Sequence, residues 1–169
     1  GLLVDDLLSF EAMGWVLGDL HRHGLAYWHD VGRIHQRELH GLPGQGQWLD
    51  AYASHMVGIH LQDAAGTEFE MPPGRGEVDF RLLAEYVPKE AARGLEVNPR
   101  HGRAERLASL KRLQTVPALV GVPIVLLATD GDIDSYSEAI TAGVAAYLQR
   151  PVKAEELLDV TKRLSGWTS

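Results

Sequence analysis

The chain has 169 residues, of which 45% are apolar and 23% charged, a composition that is ordinary for a globular domain with a sizeable core. Its net charge of −7 argues against a nucleic-acid surface, and no apolar run approaches the roughly 20 residues that a membrane span requires. Because the sequence contains no cysteine, disulfides and thiolate-bound metals are excluded, and we expect a cytoplasmic protein. From the charge and the lack of a long apolar run we expect neither nucleic-acid nor membrane partners.

Strand and helix patterns alternate through the first two thirds of the chain. Short runs of apolar and β-branched residues predict strands at 2–4, 25–29, 56–61 and 94–97. Apolar residues at helical spacing predict helices at 10–20, 78–86 and 103–113, and one that ends near residue 54. Residues 31–55 form a long connection and 63–77 a loop, in which Gly74-Arg75-Gly76 is predicted to be a plain turn rather than a phosphate loop.

The last third of the chain repeats the same alternation. Residues 123–129 form a continuous apolar run, as buried parallel strands do, and they are followed by a predicted helix at 132–142, a strand at 145–148 and a helix at 154–164. About six βα units predict one α/β domain, residues 1–169, with parallel strands. We favour an open, flavodoxin-like doubly wound sheet over a TIM barrel or half-barrel, because six strands enclose too narrow a barrel for these side chains.

Three of the predicted strands end in side chains that can bind metal. Asp30, His60 and Glu96 lie at or near the carboxyl ends of the second, third and fourth strands, where ligands collect in parallel sheets. Carboxylates together with an imidazole suit Mn, Mg, Co or Zn. The alternative is a set of polar strand ends without an ion. Asp5 and Asp6 end the first strand and are either a magnesium site or an acidic helix N-terminus.

Three motifs occur in order between residues 9 and 113. They are Trp28-His29-Asp30-Val31-Gly32, Gly58-Ile59-His60-Leu61-Gln62-Asp63 and Pro72-Pro73-Gly74-Arg75-Gly76-Glu77-Val78-Asp79-Phe80, and Leu95-Glu96-Val97 completes the pattern. Together they resemble the second half of a xylose-isomerase-like TIM barrel, the group that holds sugar-phosphate isomerases, epimerases and enzymes of the endonuclease IV type. The resemblance implies that Asp30, His60 and Glu96 bind a divalent metal, with Asp5 as a loose counterpart of a further ligand. Arg33 and Glu70 depart from the pattern, because the family often carries histidine at the first of these positions and some members carry one at the second.

Residues 122–164 carry a second set of motifs. They are Pro123-Ile124-Val125-Leu126-Leu127-Ala128-Thr129, Ala139-Ile140-Thr141-Ala142-Gly143-Val144-Ala145-Ala146-Tyr147-Leu148 and Arg150-Pro151-Val152. They resemble the last two βα units of a response-regulator receiver domain, which is flavodoxin-like, and Leu2-Leu3-Val4-Asp5-Asp6 resembles its first strand. We therefore expect residues 2–4 to join the barrel-like strands beside the receiver-like strands, as in a flavodoxin-like order. We expect phosphoryl signalling to be lost. Ala128 stands where receivers carry a hydroxyl, Arg150 replaces their lysine, and the barrel-like segment occupies the stretch of the phosphoacceptor aspartate.

The two resemblances together predict a chimera. Receiver-like ends, residues 1–8 and 122–164, flank a half-barrel-like segment, residues 9–113. The predicted function is an engineered or recombined α/β scaffold without native catalytic activity and without a cofactor. The alternative is a divalent-metal-dependent sugar or sugar-phosphate isomerase or epimerase, in which a metal polarises a carbonyl and hydroxyl pair. A third hypothesis is a homodimer that pairs through the receiver-like last strand and helix.

Overall fold

The computed structural model describes residues 3–4, 9–98, 100–116, 123–128, 133–149 and 151–165 of the chain. Its strands are β1 (Leu3–Val4), β2 (Ala26–Asp30), β3 (Met56–Leu61), β4 (Asp63–Ala65), β5 (Glu68–Met71), β6 (Ala92–Leu95), β7 (Val125–Ala128) and β8 (Ala146–Gln149). Its helices are α1 (Phe10–Leu20), α2 (Val31–Leu39), α3 (Gln45–Tyr52), α4 (Phe80–Tyr86), α5 (Arg103–Leu113), α6 (Ile133–Thr141) and α7 (Ala154–Ser165). None of these described helices is long and apolar enough to cross a membrane.

The main sheet contains four parallel strands in the order β1-β2-β3-β6, so its strands are neighbours in chain order. A second parallel pair is formed by β7 and β8, and β4 and β5 form an antiparallel hairpin. The predicted open α/β architecture with parallel strands is confirmed, since none of the described strands closes the sheet into a barrel. The expected place of the first strand beside the receiver-like strands is wrong. Leu3 pairs with Ala26 of β2, because a short crossover through α1 delivers the chain to the neighbouring position.

Two segments predicted as connections contain regular structure. Residues 31–55 hold α2 as well as α3, and residues 63–77 hold the hairpin. Asp30 caps the N-terminus of helix α2, because its carboxylate accepts the backbone N–H of Arg33 at 3.1 Å. The buried residues of this helix, Val31, Gly32 and Ile34, all lie in its first half. The sequence therefore lacks the extended apolar spacing by which a helix is predicted. The hairpin turns at Gly66, whose φ of +53° is one that glycine adopts without strain.

The largest apolar core joins the main sheet to the first four helices. Tyr27 of β2 and Ile59 of β3 are fully buried in it, together with Met13 of α1 and Trp48 of α3. The Tyr27 and Trp48 rings stack with their centroids 6.1 Å apart. Aromatic pairs of this kind add to the free energy gained by burial alone. The main sheet is therefore held against its helices by an aromatic cluster.

A second core lies around the last third of the chain. It contains Leu110 of α5, Ile124 before β7 and Ala139 of α6, all buried. Leu95, the last residue of β6, packs against both cores. The two parallel sheets are therefore linked by apolar contacts at the end of β6.

The imidazole of His29 is buried against the first core, with its ring centroid 5.7 Å from that of Tyr27. His29 is fully buried, and its Nε2 lies 2.8 Å from Gln45 Oε1 while its Nδ1 lies 2.7 Å from the Tyr27 hydroxyl. Gln45 Nε2 donates to the Val31 carbonyl at 2.6 Å, so its Oε1 is left to accept from His29 Nε2–H, and His29 Nδ1 accepts from the hydroxyl. Burial lowers the pKa of His29 from 6.5 to about 4, although Gln45 and Asp30 oppose the change. His29 is therefore a neutral imidazole at physiological pH.

Candidate metal centre

Three potential metal ligands meet where β2, β3 and β6 end. Asp30 is the last residue of β2, His60 is the last but one of β3, and Glu96 directly follows β6. The register pairs Asp30 with His60, and His60 with Gly94, so the three side chains reach the same edge of the sheet. One ligand atom from each lies within 4.8 Å of the other two. The structure thus brings together the three residues singled out from the sequence, whereas Asp5 lies outside the described residues.

The imidazole lies between the two carboxylates. His60 Nδ1 is 3.5 Å from Asp30 Oδ2 and 3.4 Å from Glu96 Oε2. The Asp30 side chain is only 6% exposed, whereas the side chains of His60 and Glu96 are each 39% exposed. The cluster is therefore closed on the Asp30 side and open to solvent on the other.

Asp30 is held as an ionised carboxylate. Burial raises the pKa of Asp30, but its contact with His60, the backbone N–H of Arg33 and the charges of both residues outweigh this and bring the pKa below its usual value. The Arg33 side chain contributes a contact of 3.2 Å between its Nε and Asp30 Oδ2. Half of this arginine side chain, 52%, is exposed.

His60 and Glu96 titrate at higher pH than usual. The contact with Asp30 raises the pKa of His60; burial opposes the change and the charge of Glu96 adds to it. Burial raises the pKa of Glu96, and the negative charges of Asp30 and Glu70 raise it further. The charges of His60 and Arg33 lower it but do not cancel the rise. Three carboxylates therefore act on one small region, and a cation placed among them relieves their mutual repulsion.

Gln62 is a residue of this site that the sequence reasoning missed. It is 1% exposed, and its Nε2 donates to Asp30 Oδ1 at 2.9 Å and to Glu96 Oε2 at 3.3 Å. Its Oε1 accepts the backbone N–H of Glu70 at 2.5 Å. The sequence carried one signal for it: an amide directly after a buried strand and two residues after a candidate ligand. A buried amide at such a place must find hydrogen-bond partners.

Glu70 supports Gln62 from an unusual backbone conformation. Its φ is +56°, the left-handed region that residues other than glycine rarely adopt. Asn98 donates its backbone N–H to the Glu70 carbonyl at 2.8 Å and its side-chain Nδ2 to Glu70 Oε2 at 3.0 Å. The hairpin is thereby tied to the segment that follows Glu96.

Asp63, the residue after Gln62, has a structural role. Its buried carboxylate accepts the backbone N–H groups of Ala64, Gly74, Arg75, Gly76 and Val78 at 2.7 to 3.1 Å. The N–H groups of the Gly74-Arg75-Gly76 segment donate to this internal carboxylate and are therefore not available to a phosphate. This agrees with the predicted turn.

No family model matches the chain, and no curated protein matches it. Among solved structures, it is similar to a crystal structure described as that of "a putative response regulator from Chloroflexus aurantiacus J-10-fl". The two chains are 18% identical, the match covers 98% of this chain and 96% of the other, and the TM-score is 0.39. At this TM-score the similarity assigns neither a fold family nor a function.

Proposed function

We propose that this chain is a divalent-metal-binding α/β protein whose ion is held by Asp30, His60 and Glu96. The observation that carries the proposal is the convergence of their ligand atoms within 4.8 Å at the carboxyl edge of a parallel sheet. Two carboxylates offset the charge of a divalent ion, and the imidazole adds a neutral nitrogen.

The surroundings of the cluster fit such an ion. The positive charge now nearest to Asp30 is the Arg33 guanidinium, and because half of its side chain is exposed it can move aside for an ion. The open side between His60 and Glu96 leaves room for water or a small ligand. A bound divalent ion supplies a Lewis acid that polarises a carbonyl or hydroxyl oxygen.

We further propose that the chain is a recombined scaffold that carries this site without native turnover. Support comes from the two partial resemblances, which meet between residues 113 and 122. Strands β2, β3 and β6 of the barrel-like segment are neighbours in chain order, as barrel strands are, whereas β7 and β8 pair separately. The alternative is a metal-dependent sugar isomerase or epimerase, supported by the resemblance of residues 9–113 to that family. The predicted homodimer, the cytoplasmic location and the lack of nucleic-acid or membrane partners stay predictions.

The test of metal binding is calorimetric titration of Mn²⁺ and Co²⁺ into the purified chain. We expect saturable binding of one ion per chain, which His60→Ala abolishes. His23→Ala is the matched control, because His23 is exposed and lies outside the cluster. Absence of binding heat in the unsubstituted chain at micromolar protein contradicts the proposal. Metal-dependent sugar isomerisation that Asp30→Ala removes favours the enzyme over the scaffold.

A further inference from the structure

The side chain of Gln62 uses its whole amide. Nε2 donates to both carboxylates of the candidate metal centre, Asp30 Oδ1 at 2.9 Å and Glu96 Oε2 at 3.3 Å. Oε1 accepts from the backbone of Glu70. A flipped amide would place its oxygen against two carboxylates and an N–H donor against the Glu70 N–H, so this orientation is the one that the contacts permit.

This orientation decides what Asp30 offers to an ion. Asp30 Oδ1 is occupied by two N–H donors, Gln62 Nε2 at 2.9 Å and the Arg33 backbone at 3.1 Å. Oδ2 faces His60 and accepts from the exposed Arg33 side chain, whose Nε lies 3.2 Å away and must move aside for an ion. The buried carboxylate is thereby prepared to bind an ion through one oxygen only.

The residues behind Gln62 fix it in place. Its partner Glu70 has a φ of +56°, and Asn98 holds the backbone and the carboxylate of Glu70 with one hydrogen bond each. Residues that keep a rare backbone conformation do so where the surrounding structure determines it, often next to functional groups. A run of hydrogen bonds therefore leads from Asn98 through Glu70 and Gln62 to the two carboxylates.

We infer that Gln62 is a positioning residue that makes the centre selective for small six-coordinate divalent ions, such as Mn²⁺ and Co²⁺, over Ca²⁺. The inference rests on the proposed metal binding. Calcium takes six to eight oxygens and often binds carboxylates through both oxygens, whereas smaller ions accept one oxygen from each. With Oδ1 engaged by Gln62, Asp30 does not offer the two-oxygen contact that calcium favours.

The test compares Mn²⁺ and Ca²⁺ titrations of the full chain with those of Gln62→Met, which keeps the length of the side chain and removes its donors. We expect Mn²⁺ affinity to fall by about 10- to 100-fold, as loss of such outer partners does in metal sites, and the Mn²⁺/Ca²⁺ preference to narrow. General loosening of the fold lowers both affinities together and leaves their ratio unchanged. Gln149→Met, at an exposed position of β8, is the matched control and should bind as the unsubstituted chain does.

Asn98→Ala is the second variant, because it leaves Gln62 and all three ligands in place while releasing Glu70. It should shift the Mn²⁺/Ca²⁺ ratio in the same direction by a smaller factor. If the unsubstituted chain binds Mn²⁺ and His60→Ala abolishes binding, but Gln62→Met and Asn98→Ala both leave the ratio unchanged, the inference is wrong and the proposed function stands. If the unsubstituted chain binds no Mn²⁺, the proposed function itself fails.

Discussion

Lowering the pH should destabilise the fold through one buried histidine. In the unfolded chain His29 titrates near its ordinary value of 6.5, whereas in the fold its pKa is about 4 because burial disfavours the charged ring. Between these two values the unfolded state binds more protons than the folded state. The stability that the neutral His29 contributes to the fold is therefore fully present above about pH 6.5 and is lost as the pH falls toward about 4.

The magnitude follows from the width of this interval. From 6.5 to about 4 is about 2.5 pH units, and each unit corresponds to about 1.4 kcal/mol, so His29 should remove about 3 kcal/mol of unfolding free energy. Exposure to solvent does not reduce this figure, because the side chain is fully buried. Protonation of Nδ1 also forces the Tyr27 hydroxyl to give up its role as donor to this ring.

Urea unfolding between about pH 7.5 and about pH 4.5 measures the effect. Because carboxylates and other histidines titrate in the same range, the quantity of interest is the difference between the unsubstituted chain and His29→Gln, which removes the titrating ring. His23→Gln, at an exposed position, is the control and should keep the full pH dependence. If the unsubstituted chain and His29→Gln lose stability in parallel over this range, the assigned role of burial is refuted.

Three further predictions concern stability. A chain ending at residue 113 should lose at least about 2 kcal/mol of unfolding free energy in urea, because Leu95 and Leu110 lose the apolar residues that cover them; cooperative unfolding of 1–113 with near-full stability would refute a single domain. Asp63→Asn should cost about 2–4 kcal/mol in thermal unfolding, since a neutral amide replaces the charged acceptor of five backbone N–H groups; an unchanged midpoint would contradict this. Gly58→Ala should cost about 1–3 kcal/mol, because the new Cβ would lie 2.2 Å from a Trp28 ring carbon, whereas Gly46→Ala meets no atom within 4 Å and should cost nothing. Equal unfolding midpoints for the two alanine variants would show that Trp28 moves aside freely.

The sequence predicts the strand ends of this chain better than its connections. The bounds of β3 are as predicted, and the carboxyl ends of parallel strands necessarily share an edge, so the meeting of Asp30, His60 and Glu96 follows from their positions alone. Strand β6 begins two residues earlier than predicted, because Ala92 and Arg93 pair with β3 without having strand composition.

The role of Gln62 could not be predicted in this way. Its orientation depends on the backbone N–H of Glu70, and therefore on a short hairpin whose strands, of three and four residues, carry no clear apolar alternation. The left-handed conformation of Glu70 has no signature in the sequence, because glycine is the residue expected there. Contacts made by tertiary structure, rather than local preference, determine this part of the site.

Asp63 ties the two ends of the hairpin segment together. Its hydrogen bonds to residues 74–78, and the 2.8 Å bond from the Glu77 N–H to the Ala64 carbonyl, keep residues 64 and 77 side by side whatever lies between them. Lengthening a loop whose ends are already joined costs only about 0.6 kcal/mol for each doubling of its length. The Gly66 turn has no atom within 4 Å of a Cβ built there, so extra residues can enter at that point. New recognition surface can therefore be added by insertion alone, while the strands keep their sequence.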